Sequence, residues 1–508
     1  MSAEILFSPL RLGAIELRNR IVMAPMTRMR AGQGNAPTAL NVEYYAQRAS
    51  AGLIVTEGTA ISPQGQGYPN APGIYTASQI AGWRGIADAV HARGGKIVMQ
   101  IAHNGRNSHS SLLPDGVLPV APSPVPSNIP AFTSAFQPVP AEVPRALDLE
   151  ELPAIVGAFR QAASNAIAAG FDGVELQGAN SHLIEQFLEN GTNQRTDAYG
   201  GAKENRARFL FEIVAQVSTA IGADRLGVRL SPFGGYGGIY DSNPLELFTY
   251  VIRELSTRGL AYLHVIEARG SEIGLTDKLN DGALNNAALF RPAFTGPLIS
   301  AAAYTRQSAA EVLKLGHADA VAFGRSFVAN PDLPDRIRAG AVLNIFDRST
   351  AYGGGAHGYT DYPALFPPVR HANVGSAREA QPGREWLAIL SRATFGDFAL
   401  AFASEPVLEA AVLAAPVVGV PAIRAFFQAT RGMYDRIAFT AQSGTGARTC
   451  LEWEGEYRGC PIAGATILIA DPAGAIERVR LFYMPFDQLG AFSADLHRRL
   501  DFAPPGSP

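Results

Sequence analysis

Leu226-Gly-Val-Arg-Leu230, Tyr262-Leu-His-Val265, Pro297-Leu-Ile-Ser300 and Asp319-Ala-Val-Ala-Phe323 are short apolar runs, and longer helix-like stretches separate them. Runs of this length are strand-sized, and their near-continuous apolar character marks strands buried on both faces. Working back toward the N-terminus, the same grammar yields Arg20-Ile-Val-Met-Ala24, Leu53-Ile-Val-Thr-Glu57, Lys96-Ile-Val-Met-Gln-Ile101 and Gly173-Val-Glu-Leu176. The intervening stretches Ser78–Arg93, Leu149–Ala169 and Glu204–Ile221 carry apolar residues three and four apart, the spacing of one buried helical face. Glycines stand where such stretches end, at Gly94, Gly170, Gly222, Gly259 and Gly316. Eight strands, each followed by a helix, is the count that closes a (β/α)8 TIM barrel, an α/β fold. An open doubly wound sheet would need a glycine-rich turn after its first strand, and Ala24-Pro25-Met26-Thr27 is not one.

Residues 102–148 separate the third strand from its helix and hold nine prolines between Pro114 and Pro144. A loop that long inside a compact barrel predicts a capping insertion over the active-site face. The barrel is expected over residues 1–366. Residues 367–383, inside the polar stretch from Phe366 to Gly383, read as a linker. After it the pattern changes: Arg384–Phe402 and Val420–Met433 look helical. Strand-like runs then follow at Ile437–Ala441, Arg448–Trp453, Thr466–Ala470 and Ile476–Met484. Helices followed by a curled antiparallel sheet over 384–508 predict a smaller, separate α+β domain.

The chain has 508 residues, 42 Lys and Arg against 45 Asp and Glu, 47% hydrophobic and 17% charged residues. That balance allows a large core and offers no electrostatic footprint for nucleic acid or anionic lipid. Two cysteines, Cys450 and Cys460, are too few for a disulfide framework or a thiolate metal cluster. Residues 1–10 lack the features of a secretory signal, and the most membrane-like stretch, Val407–Ile423, contains Glu409, Pro416 and Pro421. A cytoplasmic protein with a small-molecule substrate, and without nucleic-acid or membrane partners, is expected.

Chemistry in such a barrel sits at the C-terminal ends of the strands. Those positions hold Thr27, Gly58, Gln100, the 177–182 segment, Arg229, Ala302, Gly324 and Arg325. Hydroxyl, amide and guanidinium groups suit a flat polar heterocycle and a phosphate, and they are poor metal ligands; no metal site is expected. Gln100 and Arg229 carry the most weight, because burying such groups unpaired beside apolar strand residues is costly.

Several motifs resemble the Old Yellow Enzyme family. They are Met23-Ala-Pro-Met-Thr-Arg28, Tyr44-Tyr-Ala-Gln-Arg-Ala-Ser-Ala-Gly52 and Asn193-Gln-Arg-Thr-Asp-Ala-Tyr-Gly-Gly201 with Glu204-Asn-Arg206. Ala320-Val-Ala-Phe-Gly-Arg325 with Asn330-Pro331, and Tyr352-Gly-Gly-Gly355 with Gly358-Tyr-Thr-Asp-Tyr362, continue the likeness across roughly residues 4–366. The resemblance implies FMN as cofactor, NAD(P)H as electron donor and activated alkenes as substrates. It also implies that Thr27 faces the flavin O4 edge, that Pro25 and Met26 support the ring, and that Gly58 and Tyr352 contribute to the same site. Gln100 and Arg229 would meet the pyrimidine end, while Gly324, Arg325 and backbone near Ala302 would hold the phosphate. Ser300-Ala-Ala-Ala303 stands where relatives often carry glycines.

The substrate pocket departs further. Where relatives place His, or His and Asn, followed by Tyr, this chain has Gln177, Asn180 and His182. Two amides can donate N–H bonds to a carbonyl oxygen, and a histidine near its ordinary pKa of ~6.5 can deliver or remove a proton. Tyr68 and Tyr352 match other pocket tyrosines and are alternative proton donors. Ala102 stands where relatives often have Trp, which predicts room for a bulkier substrate.

The leading expectation is hydride transfer from NAD(P)H through flavin N5 to an enone-type alkene. The alternative is a flavin-dependent isomerase, cyclase or desaturase of specialised metabolism, acting without net reduction. Residues 384–508 are similar to SnoaL-like, nuclear-transport-factor-2-like domains, which are cone-shaped. Asp397, Tyr434, Glu452, Trp453 and His497 are candidate pocket residues there. That domain would serve as a second catalytic module or as the contact of a homodimer.

Overall fold

The computed structural model describes residues 3–270, 284–365, 384–390, 395–445, 447–471 and 474–501. The chain divides into two compact units, Met1–Pro367 and Pro368–Pro508. The linker expected over 367–383 lies outside the described residues.

In the first unit eight strands form a closed parallel barrel: Ile21–Met23, Leu53–Val55, Ile97–Ala102, Gly173–Gly178, Leu226–Leu230, Tyr262–Ile266, Leu298–Ala301 and Ala320–Phe323. The eighth strand pairs with the first and the third with the fourth, so no edge is left open. Each strand falls on a run picked out by sequence, with its ends within two residues. Helices follow because their apolar faces need the sheet. In Pro244–Ser256, Leu247, Phe248, Val251, Ile252 and Leu255 are all buried, each worth about 1.5–3 kcal/mol of transfer free energy. Pro244 begins that helix and the Asn243 side chain caps the Glu246 N–H at 3.3 Å. At its far end the helix Lys203–Ile221 stops on Gly222 at φ +88°, where a side chain would be strained.

A hairpin of Leu10–Leu12 and Ile15–Leu17 packs Leu12, Ile15 and Leu17 against Val22, Leu53, Val98 and Ile299. These barrel residues lie toward the strand beginnings, so the N-terminal mouth is plugged with aliphatic side chains. Residues 102–148 form the expected insertion, with one parallel strand pair (Val120–Ala121 and Arg145–Ala146) and one short hairpin (Ala131–Phe132 and Pro138–Val139).

The second unit holds a six-stranded sheet ordered Val417–Val418, Phe402–Ala410, Ile476–Met484, Cys460–Ala470, Arg448–Tyr457 and Arg436–Thr445. The pair Phe402–Ala410 and Ile476–Met484 runs parallel, so the sheet is mixed rather than purely antiparallel as expected. Helices Arg384–Leu390, Phe395–Ala399, Val420–Arg431 and Phe486–Asp501 accompany it. Trp386, Ile423, Phe426, Trp453, Val479 and Leu496 share its core. No helix among the described residues is long and apolar enough to cross a membrane.

Candidate active site

The open, C-terminal mouth of the barrel holds a cavity of about 490 Å³, within the range of small-molecule sites. Every barrel residue proposed from sequence lines it: Pro25, Met26, Thr27, Gly58, Tyr68, Gln100, Gln177, Asn180, His182, Arg229, Ala302, Gly324, Arg325 and Tyr352. They arrive on separate strands and loops that only barrel closure brings together.

The loop after the first strand is set by buried Arg28. Its backbone N–H donates to Glu57 Oε2 at 3.0 Å, and its guanidinium donates to Ala351 O, Tyr44 Oη and Gly358 O. The ring of Tyr44 stacks on Tyr359 at 4.0 Å, with Arg28 and Arg48 against these faces. Three motifs distant in sequence thus form one buried brace that fixes Pro25, Met26 and Thr27 at the cavity wall. Asn193–Gly201 braces the insertion instead: Gln194 N donates to Ser123 Oγ at 2.9 Å, and Arg195 donates to Pro122 O at 3.2 Å.

A polar layer crosses the barrel interior beneath the cavity. Register places Gln100 opposite Glu175, Gln177 opposite Arg229, and Arg229 opposite His264. Gln100 Nε2 donates to Glu175 Oε1 at 2.7 Å and to Gln177 Oε1 at 3.3 Å. Both amide hydrogens of Gln100 are thereby used, and its Oε1 stands at the cavity beside Gly58, where an added Cβ would lie 3.5 Å away. With its own Oε1 engaged, Gln177 is left with a donor to offer. His264 Nδ1 donates to Glu175 Oε2 at 2.9 Å. Burial alone would push the Glu175 carboxyl up, but His264, Arg229 and Gln100 hold it below the usual carboxylate range. The buried Nε of Arg229 has no hydrogen-bond partner. Sequence reasoning missed Glu175 and His264 as site residues, although polar residues inside otherwise apolar strands were the available signal.

Beyond the fourth strand Asn180 and Ser181 sit at φ +53° and +59°. Ser231 Oγ accepts from Asn180 N at 3.0 Å and donates to the buried Glu185, which also accepts from Ser181 N. His182 opens the next short helix, and its Nδ1 lies 3.0 Å from Ala179 O. A carbonyl only accepts, so Nδ1 carries the proton and Nε2 is the acceptor. Burial lowers the His182 pKa to about 4. A neutral ring in this tautomer has no proton at Nε2 to deliver, which corrects the expectation of a histidine poised near neutrality.

After the seventh strand Ala302 has φ +112° and Ala303 φ +51°. Two alanines thus hold backbone that glycine adopts more readily. Arg269 donates to Ala302 O at 3.0 and 3.2 Å, and buried Glu267 accepts from Ser300 Oγ at 2.6 Å and Tyr304 Oη at 3.1 Å. Gly324 lies so close to the first loop that a Cβ there would stand 2.9 Å from Met26 Sδ. Arg325 follows at the start of the helix Arg325–Ala329, beside a polar recess also lined by Ser326 and Arg348.

The outer wall is uncharged: Ile129, Pro130, Phe132 and Pro138 from the insertion face Tyr68, Tyr236 and Tyr352. Tyr68 is hydrogen-bonded to Tyr236, and burial holds its hydroxyl well above its ordinary pKa. Tyr236 was missed from sequence; it lies on the loop after the fifth strand. Tyr352 stands at the rim, 52% exposed. Ala102 is buried, with its Cβ behind the cavity-lining Gly58. In the second unit, Tyr434 and Trp453 sit in an aromatic cluster with Tyr483 and Phe492. There, His497 Nδ1 donates to Ser493 O at 2.7 Å, and the Asp397 side chain lies outside the described residues.

The donor set fits a flavin mononucleotide. An unpartnered Arg229 Nε, the acceptor Gln100 Oε1, the side-chain-free Gly58 and Gly324, and Arg325 at a helix start supply what a heterocycle and a phosphate require.

Comparison with known proteins agrees. Residues 5–344 match the model of the NADH:flavin oxidoreductase / NADH oxidase family. The chain is 44% identical over 363 residues to 12-oxophytodienoate reductase 1 of Oryza sativa subsp. japonica, covering 71% of this chain and 93% of that one. Morphinone reductase superposes with a TM-score of 0.67 at 46% identity, covering 73% of this chain and 98% of the other. The old yellow enzyme homologue from Zymomonas mobilis gives a TM-score of 0.67 at 41% identity, covering 71% and 99%.

Proposed function

Because the chain belongs to the NADH:flavin oxidoreductase / NADH oxidase family, we propose that its barrel cavity seats the flavin against Thr27, Gln100 and Arg229 and the alkene against Gln177 and Asn180. The enzyme is an FMN-dependent NAD(P)H oxidoreductase acting on activated alkenes. Bound FMN supplies two-electron hydride relay from the nicotinamide to the alkene. The isomerase, cyclase or desaturase alternative is not favoured, since the matched relatives are named as reductases.

The chain's own groups then divide the work. Pro25 and Met26 back the ring, and Gly324 and Arg325 take the phosphate, with the polar recess of Ser326 and Arg348 beside it. Gln177 offers the donor left over from its bond to Gln100, and with Asn180 it grips the substrate oxygen, drawing electron density from the alkene. Neutral amides hold that oxygen without contributing a charge. His182 accepts a hydrogen bond at Nε2 and orients substrate. The proton for the second carbon comes from the tyrosines at the mouth, of which Tyr68 stays protonated across the working pH range. The uncharged wall excludes water from the reacting face.

The observation that carries this reading is the Gln100–Gln177 hydrogen bond, which gives one amide an acceptor for the cofactor and the other a donor for the substrate. Gln177→Leu and Asn180→Leu test it: each should raise KM for an enone at least about tenfold, the worth of a lost hydrogen bond of ~1.4 kcal/mol. FMN content should stay at one per chain, and an unchanged KM in both variants would contradict the assignment.

For residues 384–508 the reading is a cone-shaped, SnoaL-like module that joins two chains of a cytoplasmic homodimer. The long strands wrapped around one apolar core and the helices beside them support it. Removing 384–508 should leave the barrel's turnover intact and halve the oligomer; a changed product would point to catalysis there instead.

A further inference from the structure

The carboxylate of Glu175 has no role in the division of work above, yet it is the one acid in the polar layer beneath the cavity and is fully buried. It comes from the fourth strand, with its two oxygens committed to Gln100 Nε2 at 2.7 Å and His264 Nδ1 at 2.9 Å. Opposite Glu175 on the fifth strand stands Gly227, which has no side chain to intervene, so Glu175 reaches across to the sixth strand. Arg229, two residues further along the fifth strand, projects into the same layer and feels its charge. Burial and Arg229 push the His264 pKa down while Glu175 pulls it up, and its Nδ1 donates to the Glu175 carboxylate. Arg229 and Glu175 thus bring opposite charges into this layer, and the buried Glu185 beyond the fourth strand also acts on Arg229.

We propose that Glu175 is a positioning residue that sets the electron affinity of the bound flavin by offsetting Arg229 and by fixing Gln100 as an acceptor. The inference rests on the reading that the flavin's pyrimidine end lies against Gln100 and Arg229. A positive charge there favours the more electron-rich reduced cofactor, and interactions between buried charges are only weakly screened. A carboxylate behind the guanidinium subtracts from that stabilisation and keeps the cofactor willing to hand its electrons on. A structural filler in the same place would leave the potential where it is.

The test is the midpoint potential of full-length chain in saturating FMN, measured by spectroelectrochemistry on a charge cycle. Glu175→Gln should raise the potential, favouring the reduced form by about tenfold or more, equivalent to about +30 mV for two electrons. Arg229→Gln should lower it, and the double variant should return toward the wild type. Glu175→Asp, which keeps the charge, should shift the potential less than Glu175→Gln. Where Glu175→Gln alone fails to fold because Arg229 is left buried without its counter-charge, the double variant, which buries neither charge, is compared with Arg229→Gln and decides. An unchanged or lowered potential on adding Glu175→Gln to either background overturns the proposal. Failure of the wild type to bind FMN would instead overturn the reading beneath it, and the binding measurement separates the two.

Discussion

Replacing Ala302 by glycine should stabilise this protein, against the usual expectation for removing a side chain. At φ +112° Ala302 lies outside the regions an alanine occupies comfortably, and the cost of such a residue is of order 1–3 kcal/mol. Glycine removes that strain and adds back about 0.4–1 kcal/mol of unfolded-chain entropy. The net gain is about 1 kcal/mol. The native backbone does not have to move, because Arg269 on Ala302 O and the Glu267–Ser300–Tyr304 cluster already hold the turn. Thermal unfolding in excess FMN, followed by release of flavin fluorescence, should show the midpoint rise by about 2 °C for a barrel of this size. Ala303→Gly, at φ +51°, should gain less, because the left-handed helical region costs alanine only ~1–2 kcal/mol. Gly222→Ala reverses the sign: a Cβ there meets φ +88° and Asp224 Oδ1 at 2.6 Å, and the midpoint should fall. A midpoint that drops or stays put in Ala302→Gly would refute the claim that strain is stored in this turn.

Arg325→Ala should loosen FMN retention by one to two orders of magnitude on gel filtration, the loss of ~1.5–3 kcal/mol for a charged hydrogen bond, whereas a fully yellow variant would speak against the phosphate role. Gly324→Ala should weaken retention less, since Met26 Sδ can swing away from the new Cβ. His182 contributes a pH dependence of defined sign. Its folded pKa of about 4 lies below the ordinary ~6.5, so its stabilising effect is present above 6.5 and is lost as pH falls toward 4. His182→Gln should flatten the urea-midpoint profile across that window, and an identical slope would count against a buried neutral ring. Tyr68→Phe should slow the reaction of reduced enzyme with an enone and leave reduction by NAD(P)H nearly unchanged; equal slowing of both halves would remove Tyr68 as the proton source.

Barrel strands were legible because burial on both faces leaves little room for polar residues, as in Leu226–Leu230 and Ala320–Phe323. The site loops were legible because the residues that meet at the mouth, from Thr27 to Arg325, sit just after those runs. What sequence did not reveal is the pairing of groups across the barrel. Glu175 and His264 look like isolated polar interruptions until closure sets them 2.9 Å apart. The tautomer of His182 depends on one carbonyl, Ala179 O, that composition cannot specify. The resemblance marked 302 and 303 as places where glycines are common, but alanine itself does not signal positive φ; the surrounding Arg269 and Glu267 contacts hold it there. In the second unit, Phe402–Ala410 escaped notice because Glu405-Pro406 breaks the alternation; the ladder register shifts at that place, where proline is tolerated in a sheet.

On the function proposed above, the barrel mouth holds FMN and passes a hydride from NAD(P)H to a carbonyl-conjugated alkene. Anaerobic reduction of the full-length protein with NAD(P)H, followed by mixing with a cyclic enone under spectroscopic and mass-spectrometric observation, tests it most directly. The flavin should reoxidise with one equivalent of enone, and the product should be the saturated ketone, two hydrogens heavier. Protein that takes up no FMN, or reduced flavin that persists while every enone is recovered unchanged, would contradict it.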